Sequence, residues 1–341
     1  MSDLVQSVPH AGTAAGGPLL PSPRGPLSAA IVRALREDRP LDGVDVAGVD
    51  PWGDDLQVAL TVCQELHYRG WRDVDAAREW DPGMVAARVA LEDRFLAAVD
   101  EACFEPGASV AEELTMLLRA GGGDGVAGHL ESAGSHREFA DYFAARSIYH
   151  LKEGDPHAWV IPRLPAAAKA PFVAVEFDEF GGGHPARVHQ ELYARLLTDF
   201  GLAPGYLAYL DAAPAVVLAP VTLMTALGLR RARRGAVVGH FAATEITSSP
   251  GSARMLAGLR RLGAPESVCF FYREHVEADA VHEIVVRDDV IGGLLAAEPG
   301  LEVDVVAGIR AFLLVEDRLE AAFLAAWKAG ETLMGPSVPP A

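Results

Sequence analysis

The sequence predicts an all-α fold of about seven core helices preceded by an N-terminal helical extension. Two observations carry that expectation. Apolar residues recur three and four apart in one stretch after another, which is the helical period. Between the Gly and Pro breaks, few segments alternate with period two and few clusters of β-branched residues occur, so strands lack a signal.

The elements follow in order. Residues 1–45 are rich in Gly, Pro and Ser at their start and read as a disordered leader. "DDLQVALTVCQELHYRGW" (54–71), "DPGMVAARVALEDRFLAAVDEACF" (81–104) and "SVAEELTMLLRA" (109–120) are three helices of an extension over 46–130. The glycine run Gly121–Gly123 makes a seam, and 124–134 is a short helix or loop. The core domain, 131–332, then holds helical stretches at 135–153, 161–185 (its helix stopping at three glycines), 185–202, 205–229, 235–263, 265–298 and 302–330. Residues 333–341 are expected to be a disordered tail. The apolar run 210–229 has about the length of a membrane span, but Asp211, Pro214 and Pro220 interrupt it, so it reads as a buried helix.

Composition narrows the function. A formal net charge of −18 opposes binding to nucleic acid or an anionic membrane, because an acidic surface gains nothing from either polyanion. A small-molecule substrate is the favoured partner. The N-terminal helices could pack on the core or across a homodimer interface. Cys63, Cys103 and Cys269 are widely separated and form neither a disulfide framework nor a zinc motif, which fits a reducing cytoplasm.

The chemistry concentrates in "FYREHVEADAVHE" (271–283). At 100° per residue, His275, Asp279 and His282 fall within about 60° of arc, so one helix presents two imidazoles and a carboxylate on one face. Glu274, Glu277 and Glu283 point elsewhere. Two histidines and one carboxylate with open positions suit non-haem iron, against the alternative of a merely polar helix face. Further donors are on offer: Glu245 in the apolar "GHFAATEITSS", Glu179 and His189 on either side of three glycines, and Glu153 at a helix end, with Glu176 a competitor for Glu179. An inward glutamate among apolar residues is costly unless paired or bound to a cation.

The succession "LKEGDPH", "DEFGGGHPARVHQELYARLL", "GHFAATEITSS", "EHVEADAVH" resembles the haem-oxygenase-like di-iron oxidases and oxygenases, the iron-containing redox enzymes. The resemblance covers roughly 135–330, and its most specific element is the H-x3-D-x2-H of His275, Asp279 and His282. It implies a seven-helix haem-oxygenase-like bundle in which Glu153, His189, Glu245, His275, Asp279 and His282 hold two irons, cycling between Fe(II) and Fe(III). Glu179 matches an extra carboxylate found in some members. Dioxygen is the implied co-substrate, and the implied reactions are amine N-oxygenation, oxidative decarboxylation or carbon–carbon cleavage, or desaturation of an amino- or fatty-acid-like molecule. The alternative is a non-catalytic metal- or ligand-binding protein on the same fold. Four carboxylates and three neutral imidazoles would balance two Fe(II), and manganese also suits such ligands. Haem is not expected.

Weaker features complete the reading. His150 and His157 flank Glu153 and could orient it. One of Arg230, Arg231, Arg233 and Arg234 could anchor a substrate carboxylate. Glu65 and His67 lie on divergent faces and make no ligand pair, and Gly181–Gly183 lack the Lys of a phosphate-binding loop. A metal-free hydrolase would need a nucleophile, and Cys269 has no obvious base.

Overall fold

Apolar spacing decides where the helices lie, and Gly and Pro decide where they stop. The computed structural model describes residues 17–103, 107–120 and 125–335, and contains no strand among them. The described residues form two compact units that divide between Phe95 and Leu96, inside the helix Pro82–Cys103. The expected seam at Gly121–Gly123 lies outside the described residues.

In the first unit, α1 (Pro26–Arg36) packs against α2 (Asp54–Glu65), and the part of α3 (Pro82–Cys103) up to Phe95 follows. Helix α1 corrects the expectation of a disordered leader over 1–45, of which residues 1–16 lie outside the described set. The prolines that suggested disorder stand upstream of the helix or at its first position, where Pro is tolerated. Downstream, Leu27, Ile31 and Leu35 repeat every four residues and are buried. The Asp55 carboxylate accepts from the backbone N–H groups of Leu27 and Ser28 at 3.0 and 2.8 Å, satisfying two donors of the first turn.

The second unit contains α4 (Val110–Ala120), α5 (Val126–Ser132), α6 (His136–His150), α7 (Asp155–Ala158), α8 (Ala166–Glu179), α9 (His189–Asp199), α10 (Ala215–Leu229), α11 (Arg234–Arg261), α12 (Glu266–Ile284), α13 (Gly292–Ala297) and α14 (Glu302–Lys328). Ser135 and Glu138 form a capping box that starts α6. Helix α9 begins at His189, later than the expected 185, because Pro185 to Val188 form a tight turn. Helix α10 begins at Ala215, since Pro214 starts it and residues 205–212 are turns with Leu207 at φ 56°. The stretch 265–298 is helical as expected but widens to a π-helical segment at Val285–Ile291, a feature frequent near functional sites.

Helix α11 is central and packs against α5, α12 and α14. Its crossing with α14 is backbone to backbone, because Gly239 faces the Val305 carbonyl and Gly308 faces that of Ala236. The tail expected at 333–341 is anchored at its start: Asp141 accepts from Trp327 Nε1 and the N–H groups of Leu333 and Met334 at 2.8 to 2.9 Å. Residues 336–341 lie outside the described set. Helix α10 is buried almost throughout, and among the described residues no single helix is long and apolar enough to cross a membrane.

Candidate metal centre

Helix α12 turns one face inward, with His275, Asp279 and His282 all at most 4 % exposed. Glu277 is exposed, while Glu274 and Glu283 sit at the margin and pair with Arg187 and Arg287. The charge excess thus divides by helix angle. Opposite, Glu245 projects from α11 and its Oε2 lies 3.1 Å from His282 Nδ1, which is also 3.2 Å from Asp279 Oδ1. His282 Nε2 reaches Asp178 on α8 at 3.2 Å.

The other half is built around two turns. Glu153 follows α6, where Gly154 takes φ 84°, a left-handed conformation that a side chain would strain. His150 Nδ1 lies 3.0 Å from Glu153 Oε1, a contact that fixes the direction of this carboxylate. Gln190 donates to the Glu153 carbonyl at 3.0 Å, tying the turn to α9. Glu179 is the last residue of α8. A Cβ on Gly181 would overlap the backbone of Arg187 and Val188, so the glycine run lets the chain fold back tightly and return His189. His189 Nδ1 then stands 2.7 Å from Glu179 Oε2.

All seven residues named from the sequence converge. Glu153, Glu179, His189 and His275 form one group and Glu179, Glu245, Asp279 and His282 another, the donor atoms within each lying within 4.8 Å of one another. Glu179 belongs to both. Glu176 belongs to neither; burial, followed by the charges of Glu179 and Glu245, pushes its acid well above the usual range.

These residues fit a cation better than they fit each other. Glu153 Oε2, His189 Nδ1, His275 Nε2 and both Asp279 oxygens are buried without an aligned hydrogen-bond partner, an arrangement costly in a folded interior. Between them lies a void of about 20 Å³ lined by Glu153, Glu179, Glu245, His275 and Asp279. A set of carboxylates and imidazoles is suited to iron or manganese.

The metal-free site holds protons where a cation would sit. Burial lowers His275 and His282, but their carboxylate neighbours outweigh it: Glu153 chiefly raises His275 to about 10, and Asp279 and Glu245 raise His282 to about 11. Burial, then the charges of Asp279 and Glu179, raises Glu245 to about 8 against the pull of His282. All three bind protons more tightly folded than unfolded. The stabilisation from the two imidazoles is therefore complete below their unfolded value of 6.5 and lost as pH climbs through about 10 to 11; that from Glu245 fades earlier, through about 8. The melting temperature of the metal-free protein should accordingly fall between pH 7 and 10. A rise over that range, measured by thermal circular dichroism, would contradict this electrostatic picture.

Beside Glu153 and His275 opens a cavity of about 290 Å³. Its space comes from α11, which presents Thr244, Thr247, Ser248, Gly251 and Ser252 where a core helix would carry large side chains. Arg146 lies in its wall, with Nη1 at 2.9 Å from both oxygens of Glu316 and the guanidinium 5.9 Å above the rings of Tyr142 and Tyr149. The arginines suspected from the sequence are elsewhere: Arg233 pairs with Asp100 and Arg234 with Glu298, and none of the four lines the cavity. His67 turns to Glu79, and Cys269 is buried away from the cavity. Sequence reasoning missed Arg146, Glu316 and His240, whose signal was only that charged or polar residues recur on helix faces otherwise apolar.

No curated protein matches the chain. The all-α architecture is that of the haem-oxygenase-like fold. A family model for iron-containing redox enzymes matches residues 140–317, just over half of the chain, and that span holds all seven converging residues. With this match added to the helical fold and the paired carboxylate–histidine groups, the chain belongs to the iron-containing redox enzyme family.

Proposed function

We propose that the chain is a non-haem di-iron enzyme that uses dioxygen to oxidise a small organic molecule held in the cavity beside Glu153 and His275. Family membership gives the coarser part, an iron-dependent redox role. The finer reading is carried by one observation: two four-residue donor groups share Glu179 and adjoin a cavity. Glu153, Glu179, His189 and His275 would hold one ion, and Glu179, Glu245, Asp279 and His282 the second.

Iron bound there supplies the one-electron steps that let dioxygen react with a closed-shell organic molecule. The protein's part is placement and exclusion. Met224, Phe271, Phe312 and Leu313 give the cavity apolar walls, which keep water from the reacting centre and strengthen electrostatic contacts within it. The Arg146–Glu316 pair offers a fixed donor and acceptor for a polar end of the substrate. Amine oxygenation, oxidative cleavage and desaturation all suit such a chamber. The protein would act without a membrane or nucleic acid, and as a monomer or homodimer.

The test is anaerobic loading with Fe(II), metal analysis and exposure to oxygen. About two irons per chain and iron-dependent oxygen consumption are expected; no iron uptake, or uptake without oxygen reactivity, would sink the reading. Loading with Mn(II) in parallel identifies which metal supports the reaction.

A further inference from the structure

Two histidines outside both donor groups, His157 on α7 and His240 on α11, face each other inside the second unit. Nε2 of His157 lies 3.1 Å from Nδ1 of His240, and both residues are 2 % exposed. They border different spaces. His157 lines the 20 Å³ void between the carboxylates, whereas His240 lines the 290 Å³ cavity. Rings hold them in place: Phe241 packs edge-on against His157 at 5.1 Å, and Phe312 against His240 at 5.3 Å.

Nε2 of His240 is buried and has no partner, which is costly unless a ligand in the adjoining cavity satisfies it. Burial pushes His157 down to about 4 and His240 well below its ordinary value. Each ring is therefore neutral near pH 7, with one N–H and one lone pair, as proton passage requires.

We infer that His240 and His157 form a two-ring proton relay between the cavity and the void, with His240 the ring that touches the substrate. This rests on the proposed reduction of dioxygen, which consumes protons. A substrate bearing an N–H or O–H, an amine or alcohol, gives its proton to the Nε2 lone pair of His240. The N–H bond at His240 Nδ1 breaks as that proton moves to Nε2 of His157. His157 releases the proton from its own Nδ1 into the void. One proton leaves the cavity, one enters the void, and both rings end neutral with their protons on the opposite nitrogens. Passage in reverse, or rotation of the rings, resets the pair.

Two measurements on the full chain test this. In metal-free protein labelled with ¹⁵N-histidine, one ring proton should correlate with Nε2 of His157 and Nδ1 of His240, and should vanish in His157→Gln and His240→Gln. Two rings each protonated outside the pair, with no shared proton, overturn the relay whatever iron does. In Fe(II)-loaded protein, either variant should keep its iron and consume oxygen about 10²-fold more slowly. The double variant should be no slower than the singles, because the rings act as a unit, and added imidazole should restore rate to His240→Ala. Variants with full iron and wild-type rate overturn the relay alone, as does loss of iron from either variant, which would mark a structural role. Wild-type protein that takes up no iron overturns the proposed function and the relay with it.

Discussion

Glu179→Gln is expected to strip iron from both halves of the site. The substitution preserves shape and removes one negative charge, but that charge is common to both donor groups. Breaking up a buried charge cluster by removing one member typically costs about 3–5 kcal/mol, which is at least about a hundredfold in affinity at 1.4 kcal/mol per factor of ten. Bound iron should drop from about two per chain to well under one, and oxygen consumption should be lost. Asp279→Ala touches a single group and should leave about one iron. Metal analysis after anaerobic loading separates the two results, with far-ultraviolet circular dichroism confirming that the helices persist. A Glu179→Gln protein that still holds two irons would remove Glu179 from the site.

Gly239→Ala and Gly308→Ala should be the most destabilising small substitutions in the second unit. A methyl on Gly239 would overlap the Val305 carbonyl, and one on Gly308 the carbonyl of Ala236. Neither neighbour is a flexible side chain, so α11 and α14 would have to separate along their crossing. Forcing atoms into a close-packed contact costs about 1–3 kcal/mol and sometimes more; with backbone on both sides, about 3 kcal/mol is expected for each. Urea unfolding should show an earlier midpoint. Gly251→Ala on the same helix is the control, since its methyl meets nothing within 4 Å. Better helix propensity there should offset other losses and could add about 1 kcal/mol. Equal stability of Gly239→Ala and wild type would mean that the helices do not cross so closely.

The inward surface of α12 was legible because it depends on one periodicity within one helix: His275, Asp279 and His282 share a face whatever packs against it. Glu245 stood out as a charge amid small and apolar neighbours. Glu153, Glu179 and His189 were less so, since each sits at a helix end and its direction is set by Gly154 and by the Gly181–Gly183 turn. Glu179's position in both groups is a matter of how α8 meets α11 and α12, which no local pattern encodes. The same holds for Arg146 with Glu316 and for His157 with His240, pairs separated by 170 and 83 residues. Helix α1 was hidden by composition, its prolines outweighing the period of Leu27, Ile31 and Leu35. The break at 205–214 was hidden for the opposite reason, an apolar run continuing through Pro214.

Helix α11 carries two inventories that overlap only in part. Glu245 belongs to a donor group, Thr247, Gly251 and Ser252 border the cavity without bordering the void, and Thr244 and Ser248 border both. A larger residue at Thr247, Gly251 or Ser252 would alter the cavity at a position that does not line the void. The chamber can therefore be recut at these three positions while the donor groups are inherited intact, so that relatives sharing those groups can diverge in what they accept through one helix face.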